Sequence, residues 1–309
     1  MSPLVFALRE APVLVTGGSG QLASALEALA RQKHIPVRRV GRPQFDFDGP
    51  DSVERAFRET APAGVVNAAA YTAVDAAESE PEAAKRANCD GPALLAKLCA
   101  EAGVPLIHVS TDYVFDGRKQ TPYRESDPTN PQGVYGATKL AGEQAVLAAW
   151  PRAVVLRTSW VYAPEGKNFV RTMLNAGRKS TRLRVVADQH GCPTAASDLA
   201  DAILAILGRL RDYPDDDSCA GVFHAAGTGA TTWHGFAQAV FEEGSRYGMP
   251  VPQVDPIATA DWPTPAKRPA NSRLDCEKLA SHFGIRLPPW RESLARTIDT
   301  IFADARHAA

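Results

Sequence analysis

Pro12-Val-Leu-Val-Thr16-Gly-Gly-Ser-Gly20-Gln-Leu-Ala23 places an apolar run directly before a glycine-rich turn, and a helical pattern follows at once. Strand, glycine turn and helix in this order open a βαβ unit. Gly17 and Gly20 have the Gly-x-x-Gly spacing, and Ala23 stands where a third glycine would complete the repeat. Such glycines let the backbone approach a pyrophosphate, whose charge is stabilised at a helix N-terminus. The pattern favours dinucleotide binding over a plain tight turn.

Apolar runs and helical patterns alternate through the first half of the chain. Further runs that predict strands come at 35–40, 64–70, 104–109 and 153–159. This alternation predicts an α/β fold with a Rossmann-type, doubly wound parallel sheet. The helical region at 81–102 is interrupted by Gly91-Pro92.

From about residue 160 the pattern loosens, which indicates a second unit. We expect a dinucleotide-binding domain over 1–160, to which later segments at about 187–230 return. A smaller C-terminal α/β lobe, 161–309, would mainly bind substrate, since 309 residues exceed the usual size of one core. The proline-rich stretch 250–269 predicts an irregular wall or lid.

Composition and charge argue against several classes of protein. With a net charge of −1 and no basic block, the chain lacks the signature of a nucleic-acid surface. No apolar run reaches the length of a membrane span, and the first residues are too weakly basic for a signal peptide. The five cysteines are scattered without Cys-x-x-Cys, which favours reduced thiols. We therefore expect a cytoplasmic protein that binds neither nucleic acid nor membrane.

The end of the second predicted strand indicates which cofactor would bind. A carboxylate there would bind the adenosine 2′-hydroxyl of NAD, whereas an arginine accommodates the 2′-phosphate of NADP. The strand ends at Arg42 without a carboxylate, which favours NADPH and leaves NADH as the alternative. Asp46 and Phe47 follow, in a position to reach the adenine. The small residues up to Ala70 would let a cofactor lie against the third strand, or would simply pack beneath a helix.

Polar side chains end the fourth run and open the helix after it. Ser110-Thr111-Asp112-Tyr113 follows a buried strand, and parallel strands deliver ligand-binding groups at their carboxyl edge. Tyr135 and Lys139 are spaced i and i+4, so one helix face presents both. An ammonium beside a phenol lowers the tyrosine pKa, and the tyrosine can then act as an acid near neutral pH. The alternative is an ordinary pair on a surface helix.

Longer motifs resemble the dTDP-4-dehydrorhamnose reductase family of the extended short-chain dehydrogenase/reductase superfamily. Besides the glycine turn and Tyr135-x-x-x-Lys139, they are 67–81, 110–117, 134–143, 157–162, 188–194 and 263–274. The resemblance covers about residues 12 to 305. It implies reduction of the 4-keto group of dTDP-4-dehydro-β-L-rhamnose to dTDP-L-rhamnose by hydride transfer from NADPH.

The resemblance also implies roles for single residues. Tyr135 would donate the proton, Lys139 would hold the ribose hydroxyls and lower the Tyr135 pKa, and Thr111 would bind the substrate carbonyl. The expected substrate contacts are Thr111, Asp112, Tyr113 and Trp160. With Gly17, Arg42 and Ala70 taken from the pattern itself, the expected cofactor contacts are Gly17, Gly20, Gln21, Leu22, Arg42, Asp46, Phe47, Ala70, Tyr71, Thr72, Tyr135 and Lys139.

Two departures from the family bear on these expectations. Tyr71 stands where some members have histidine, which leaves that cofactor contact open. Ala25 and Ser197 stand where members that dimerise through Mg²⁺ have glutamates. The resemblance therefore carries over no metal, and both a monomer and a homodimer stay open.

Two other functions share the pattern. The regulatory β subunit of methionine adenosyltransferase keeps the fold and cofactor site but acts as a binding partner. A reductase, epimerase or dehydratase of the same fold would act on another nucleotide sugar. Dehydratases usually carry an acid pair after the strand-end hydroxyl, whereas Tyr113 follows Asp112 here, which disfavours elimination.

Four further polar residues complete the candidates. His108 lies inside a predicted strand, and we expect a hydrogen-bonded core residue rather than a base. His190 could line the pocket. Arg268 and Arg273 flank Pro269-Ala-Asn-Ser272 and would either bind the substrate diphosphate or solvate the lid.

Overall fold

The computed structural model describes residues 11–307, so the expectation about a signal peptide lies outside the described residues. Its strands are β1 Val13–Thr16, β2 Val37–Val40, β3 Gly64–Asn67, β4 Leu106–Thr111, β5 Val154–Thr158, β6 Val161–Tyr162, β7 Arg182–Val186, β8 His190–Gly191, β9 Thr194–Ala195, β10 Gly221–His224, β11 Thr231–Thr232 and β12 Gln253–Ile257. Its α-helices are α1 Gln21–Gln32, α2 Pro50–Thr60, α3 Val74–Ala77, α4 Pro81–Lys85, α5 Gly91–Ala102, α6 Val134–Ala149, α7 Phe169–Gly177, α8 Ala196–Asp212, α9 Trp233–Ser245, α10 Glu277–Phe283 and α11 Trp290–His307.

Six parallel strands form the central sheet in the order β10-β5-β4-β3-β1-β2, which confirms the expected α/β class. Alternate side chains of β1 point to opposite faces, as strand geometry requires. Val13 and Val15 pack under α1 and α8, whereas Leu14 packs under α2, α5 and α6. Helices cover both faces, so these strands are continuous apolar runs. The chain leaves β1 for β2 on one side and returns to β3 on the other, which opens a crevice at the carboxyl edge.

The C-terminal part forms three small strand pairs and a helical cluster. The pairs are β6 with β9, β7 with β12, and β8 with β11. Apolar residues of α7, α9 and α11 pack together beside them, among them Leu174, Phe236 and Leu294. None of the helices within residues 11–307 has the length and the apolar surface that crossing a bilayer would require.

Two details of the expected element pattern were wrong. The stretch 250–269 contains β12, which pairs along its whole length with β7. The strand tolerates Pro256 because it lies at the edge of a two-stranded sheet. The helical region at 81–102 is not broken at Gly91-Pro92; a π-helical turn, Arg86–Asp90, joins α4 to α5.

Candidate active site

A cleft of about 920 Å³ opens at the carboxyl edge of the central sheet. It is lined by glycine-loop backbone, strand ends and the first turns of α6. Every residue expected to contact cofactor or substrate lies on its wall: Gly17, Gly20, Gln21, Leu22, Arg42, Asp46, Phe47, Ala70, Tyr71, Thr72, Thr111, Asp112, Tyr113, Tyr135, Lys139 and Trp160.

The glycine loop is shaped by backbone conformations that favour glycine. Gly17 and Gly18 have φ of 112° and 53°, in the left-handed region. A Cβ on Gly41 would lie 2.5 Å from the Gly18 Cα, so only glycine lets β2 approach the loop. Arg39 fixes the loop by donating from Nη1 to the Gly18 carbonyl at 3.0 Å and to the Ser24 hydroxyl at 2.9 Å. Arg39 was not among the expected site residues.

Among the residues that the structure describes, no side chain caps the N-terminus of α1. The helix spans twelve residues, its N-cap is Gly20, and its first turn carries no acidic residue. The exposed backbone N–H groups and the helix dipole therefore favour an anion at this point of the cleft. Loop shape and helix end together fit a pyrophosphate.

The wall formed by β2 and the segment after it combines an exposed cation with packed aromatic rings. Arg42 is exposed on the cleft wall directly after Gly41. Phe47 packs edge-on against Phe45 with ring centroids 5.1 Å apart, and a Cβ on Gly91 would clash with the Phe47 ring at 2.2 Å. Close packing thus holds Phe47 at the cleft, and the exposed guanidinium of Arg42 is accessible to an anionic group.

The loop after β3 is held by a buried asparagine from the π-helical turn. Asn88 Oδ1 accepts from the Tyr71 backbone N–H at 2.8 Å, and Nδ2 donates to the Thr138 hydroxyl at 3.1 Å. The Tyr71 hydroxyl donates to Glu80 at 2.8 Å, and this hydrogen bond raises the Tyr71 pKa. Asn88 was not among the expected site residues, since an asparagine in a helical stretch gives no signal of such a role.

Thr111 and Tyr135 meet where β4 ends and α6 begins. The Thr111 hydroxyl donates to Asp112 Oδ1 at 2.9 Å, and the Tyr135 ring packs edge-on against Tyr113 at 5.5 Å. Burial raises the Tyr135 pKa, and a hydrogen bond with Thr111 opposes part of that rise. The phenol is therefore protonated throughout the neutral range.

Lys139 is buried, and its ammonium group contacts β4. Its Nζ donates to the Val109 carbonyl at 2.7 Å and lies 3.5 Å from His108 Nε2. Burial lowers the pKa of Lys139 to about 8, while Glu143 opposes the change. Burial is the largest effect on the Tyr135 pKa, and the expected lowering by Lys139 stays a prediction.

His108 is a core residue, as expected. The ring is fully buried, and Nδ1 lies 2.9 Å from the Asn67 amide nitrogen. Burial, followed by the Lys139 charge, lowers the His108 pKa well below its usual value. The imidazole is therefore neutral, and His108 is absent from the cleft wall.

Asp112 is a buried carboxylate with one oxygen left over. Only 3% of the residue is exposed, and among the described residues Oδ2 has no hydrogen-bond partner. Burial raises the pKa of Asp112 to about 6, although the nearby hydroxyls of Ser272 and Thr111 oppose part of the rise. A buried polar atom without a partner is costly, so its place on the cleft wall indicates a ligand-binding group.

Trp160 forms an aromatic wall in a conformation rare for its residue type. Its φ is 49°, and its ring stacks on Trp233 with centroids 3.5 Å apart and 7° between the planes. A Cβ on Gly191 would lie 2.3 Å from the Trp160 ring, so that glycine leaves room for it. Trp233 was missed because it looks like an ordinary apolar residue at a helix start.

The remaining candidates divide into one residue beside the cleft and two apart from it. Arg268 pairs with Asp75 at 2.8 Å and lies over the Tyr113 ring at 6.0 Å. Arg273 instead donates to Asn271 and Gln120. His190 is exposed in β8 and is absent from the cleft wall.

The chain matches the model of the RmlD substrate binding domain over residues 11–302. It is 47% identical to dTDP-4-dehydrorhamnose reductase of Sinorhizobium fredii over 95% of this chain and 99% of that protein. It is 40% identical to the Escherichia coli K12 enzyme of the same name, over 94% and 98%. The chain belongs to the dTDP-4-dehydrorhamnose reductase family. The expected family and its class, oxidoreductase, are therefore confirmed.

Solved structures of this reductase family share the fold along nearly the whole chain. The Clostridium acetobutylicum reductase is 36% identical with a TM-score of 0.86, over 94% of this chain and 99% of that one. The Bacillus anthracis reductase, solved in complex with NADP, is 32% identical with a TM-score of 0.85 over the same shares. The Thermus thermophilus UDP-glucose 4-epimerase, at 24% identity, shares the fold alone.

The two positions at which family members that dimerise through Mg²⁺ have glutamates lie on helices α1 and α8, which pack together. Ala25 is part of α1 and Ser197 is part of α8. Within residues 11–307 no group of three or more histidine, cysteine, aspartate or glutamate side chains is placed to hold a metal ion.

Proposed function

We propose that the chain reduces the 4-keto group of dTDP-4-dehydro-β-L-rhamnose to dTDP-L-rhamnose, with NADPH as hydride donor. The observation that carries the proposal is the convergence of Thr111, Tyr135 and Lys139 at the cleft whose other end is the glycine loop. The relatives carry the name of this reductase, and the Bacillus anthracis structure contains NADP.

The cleft fits a dinucleotide on its own geometry. Gly17 and Gly20 provide the close backbone approach, and the uncapped α1 accepts the pyrophosphate. Arg42 would meet the 2′-phosphate, and Phe47 and Asp46 the adenosine. Gln21, Leu22, Ala70, Tyr71 and Thr72 would line the cofactor path. NADPH, when bound, supplies a hydride to C4 of the sugar.

Tyr135 would complete the reduction by transferring its phenolic proton to the carbonyl oxygen as that oxygen gains negative charge. Its raised pKa keeps the proton on the phenol, so the positive charge of Lys139 would have to offset that rise for the proton to transfer near neutral pH. Thr111 would hold the same oxygen by a hydrogen bond. Lys139 would hold the ribose hydroxyls and place a positive charge near the phenolate that forms.

The sugar nucleotide would lie between Asp112, Tyr113 and Trp160. The unpartnered Oδ2 of Asp112 would accept a hydrogen bond from a sugar hydroxyl, which would remove the cost of its burial. The Trp160 ring, supported by Trp233, would form an apolar wall that suits a deoxysugar. A carboxyl with a pKa of about 6 accepts this bond better above that pH.

We further propose the two domains expected from the sequence. The dinucleotide would bind to residues 1–160 and to the segments at about 187–230 that return to this domain. The lobe over 161–309 would mainly bind the sugar nucleotide. A cytoplasmic location stays a prediction, and both a monomer and a homodimer stay open, as does a dependence on Mg²⁺.

The test is NADPH oxidation, followed by absorbance, with purified protein and dTDP-4-dehydro-β-L-rhamnose. We expect turnover with this ketone and none with a UDP-hexose that lacks the ketone. Protein that carries stoichiometric NAD⁺ and interconverts hydroxyl epimers without consuming NADPH would contradict the proposal. So would absence of turnover in protein that binds NADPH.

A further inference from the structure

A buried ion pair lies beneath the cleft, between α6 and the central sheet. Arg157 donates to Glu143 from Nε at 2.9 and 3.1 Å and from Nη2 at 2.6 Å. Ser110 donates to the same carboxylate at 2.5 Å. The two charged side chains are only 5% and 2% exposed. We call Ser110, Glu143 and Arg157 the buried clamp.

The buried clamp connects the elements that carry the reactive side chains. Glu143 follows Lys139 by one helical turn and Tyr135 by two on α6. Ser110 and Arg157 are partners across the β4–β5 pair, and Thr111 is the next residue on β4. The clamp therefore fixes the helix with the proton donor against the strand with the carbonyl-binding hydroxyl.

Packing on the other side of α6 allows little adjustment. A Cβ on Gly142 would lie 1.9 Å from the Asn88 carbonyl oxygen, so the helix is in close contact with the π-helical turn. The Arg157 guanidinium also lies over the Phe115 ring at 5.1 Å. A carboxylate held by three donors in such a dense environment sets the position of the helix within narrow limits.

We propose that Glu143 is a positioning residue for the reduction, which holds Tyr135 and Lys139 in register with Thr111 and supplies a buried negative charge one helical turn from Lys139. This inference rests on the proposed function, since it assigns Glu143 a part in that reaction. It goes further because Glu143 does not react itself but sets the positions of Tyr135 and Lys139 and the charge around Lys139. We call Tyr135 and Lys139 the reactive pair.

The other charged groups around Lys139 do not replace Glu143. His108 on β4 is neutral, and Arg157 on β5 adds a positive charge. Asp112 and Tyr113 from the turn after β4 face the cleft, and Asp75 pairs with Arg268. The charged side chains on α4, the π-helical turn and α5 are exposed: Glu82, Lys85, Arg86, Asp90, Lys97 and Glu101.

The first test is Glu143→Gln, measured as kcat against pH. We expect a fall of about tenfold to a hundredfold at neutral pH, as for small misplacements of catalytic groups. The alkaline limb of the profile should move to lower pH, because Lys139 loses its opposing charge and gives up its proton more easily. The matched control is Glu277→Gln, which removes an exposed carboxylate held by Arg286 at 2.6 Å. It should change neither kcat nor the limb.

Glu143→Asp separates charge from position. This variant keeps a carboxylate facing Arg157 but shortens its reach, so it is the variant expected to fold even where Glu143→Gln does not. We expect a lower kcat with the alkaline limb at its wild-type position. Wild-type kcat in Glu143→Asp together with an unmoved limb in Glu143→Gln would overturn the proposal.

A measurement without substrate keeps this inference distinct from the proposed function. The amine of Lys139 can be titrated by ¹⁵N NMR in labelled wild-type protein and in Glu143→Gln, with Lys139→Arg to assign the signal. We expect the Lys139 titration to move to lower pH in Glu143→Gln. Absence of turnover in wild type would contradict the proposed function, whereas identical Lys139 titrations would contradict the role of Glu143.

Discussion

Two buried carboxylates lie near the same reactive pair and differ in how fully their oxygens are hydrogen-bonded. Glu143, in the buried clamp, accepts hydrogen bonds on both oxygens from Arg157 and Ser110. Asp112, on the cleft wall, leaves Oδ2 without a partner among the described residues. A carboxylate that is paired on both oxygens fixes the structure around it, whereas an unsatisfied acceptor costs stability until a ligand pairs with it. We call the buried clamp the positioning side of the site. We call the cleft wall that includes Thr111, Asp112, Tyr135 and Lys139 the binding side.

The largest effect should come from breaking the positioning side. Arg157→Met leaves Glu143 buried with Ser110 as its remaining donor, and we expect a loss of about 3–5 kcal/mol in the free energy of unfolding. Urea unfolding measures it. Arg286→Met is the control, because its bidentate pair with Glu277 is exposed and should cost under about 1 kcal/mol. Equal losses in the free energy of unfolding in the two variants would show that burial of the Arg157–Glu143 pair does not add to its contribution to stability.

Removing the proton donor should leave stability intact and affect only turnover. Tyr135→Phe keeps the ring that packs on Tyr113 but lacks the phenolic proton, so we expect kcat to fall by about a thousandfold. NADPH affinity, measured by fluorescence titration, should stay within about twofold because the contacts of the glycine loop are unchanged. Tyr123→Phe, in a buried aromatic stack away from the cleft, is the control. Retained activity in Tyr135→Phe would refute the proton-donor role.

Breaking the binding side should have the opposite effect on stability. Because burial raises the pKa of Asp112 to about 6, the folded state binds its proton more tightly than the unfolded chain does. Stability from this group therefore falls as pH rises from the unfolded value through about 6. Asp112→Asn removes that cost, so we expect it to raise the free energy of unfolding at pH 8 by up to about 3 kcal/mol, with no gain below about pH 4.

Asp127 offers a matched control with the opposite sign. Its pKa is lowered, first by a hydrogen bond from Lys119 at 2.5 Å, so its ionised form stabilises the fold. Asp127→Asn should therefore lower stability at pH 8, and the loss should fade as pH falls through the range in which Asp127 takes up its proton. Thermal unfolding of both variants across pH measures this, with kinetics expected to show a raised KM for the sugar nucleotide in Asp112→Asn only. A destabilised Asp112→Asn at pH 8 would remove the distinction between the two carboxylates.

The binding side could be predicted from sequence because its signals are local. Buried parallel strands appear as apolar runs, and β1 to β5 were expected to within three residues at each end. Polar residues directly after such a run must lie at the carboxyl edge, which placed Thr111 and Asp112 on the cleft wall. Tyr135 and Lys139 followed from helical spacing. The orientation of Lys139 toward Val109 did not, since it depends on how α6 packs against β4.

The positioning side was missed because its partners are distant in sequence and look ordinary. Glu143 and Arg157 are typical surface residues until a helix and a strand bring them together out of solvent. A local clue did exist, since Arg157 follows the apolar residues Val154-Val-Leu156 in a strand that is buried along its length and lies inside the sheet. A charge at such a place needs a buried partner, although sequence alone does not indicate which one.

The smallest expected effect concerns Arg42 at the exposed rim of the cleft, because its side chain is not buried and, among the described residues, is not held by several hydrogen bonds. Arg42 follows β2 as an exposed cation, so its bond to a 2′-phosphate would be worth about 1–2 kcal/mol, or roughly tenfold in affinity. Arg42→Ala should raise KM for NADPH by about this factor, leave KM for NADH unchanged, and lose its effect at high salt. Arg38→Ala is the control, because Arg38 lies on the same strand but pairs with Glu59 at 3.0 Å. Equal increases in KM for NADH and NADPH in Arg42→Ala would show that Arg42 does not select the 2′-phosphate. Arg42 would then stabilise the glycine loop and belong to the positioning side.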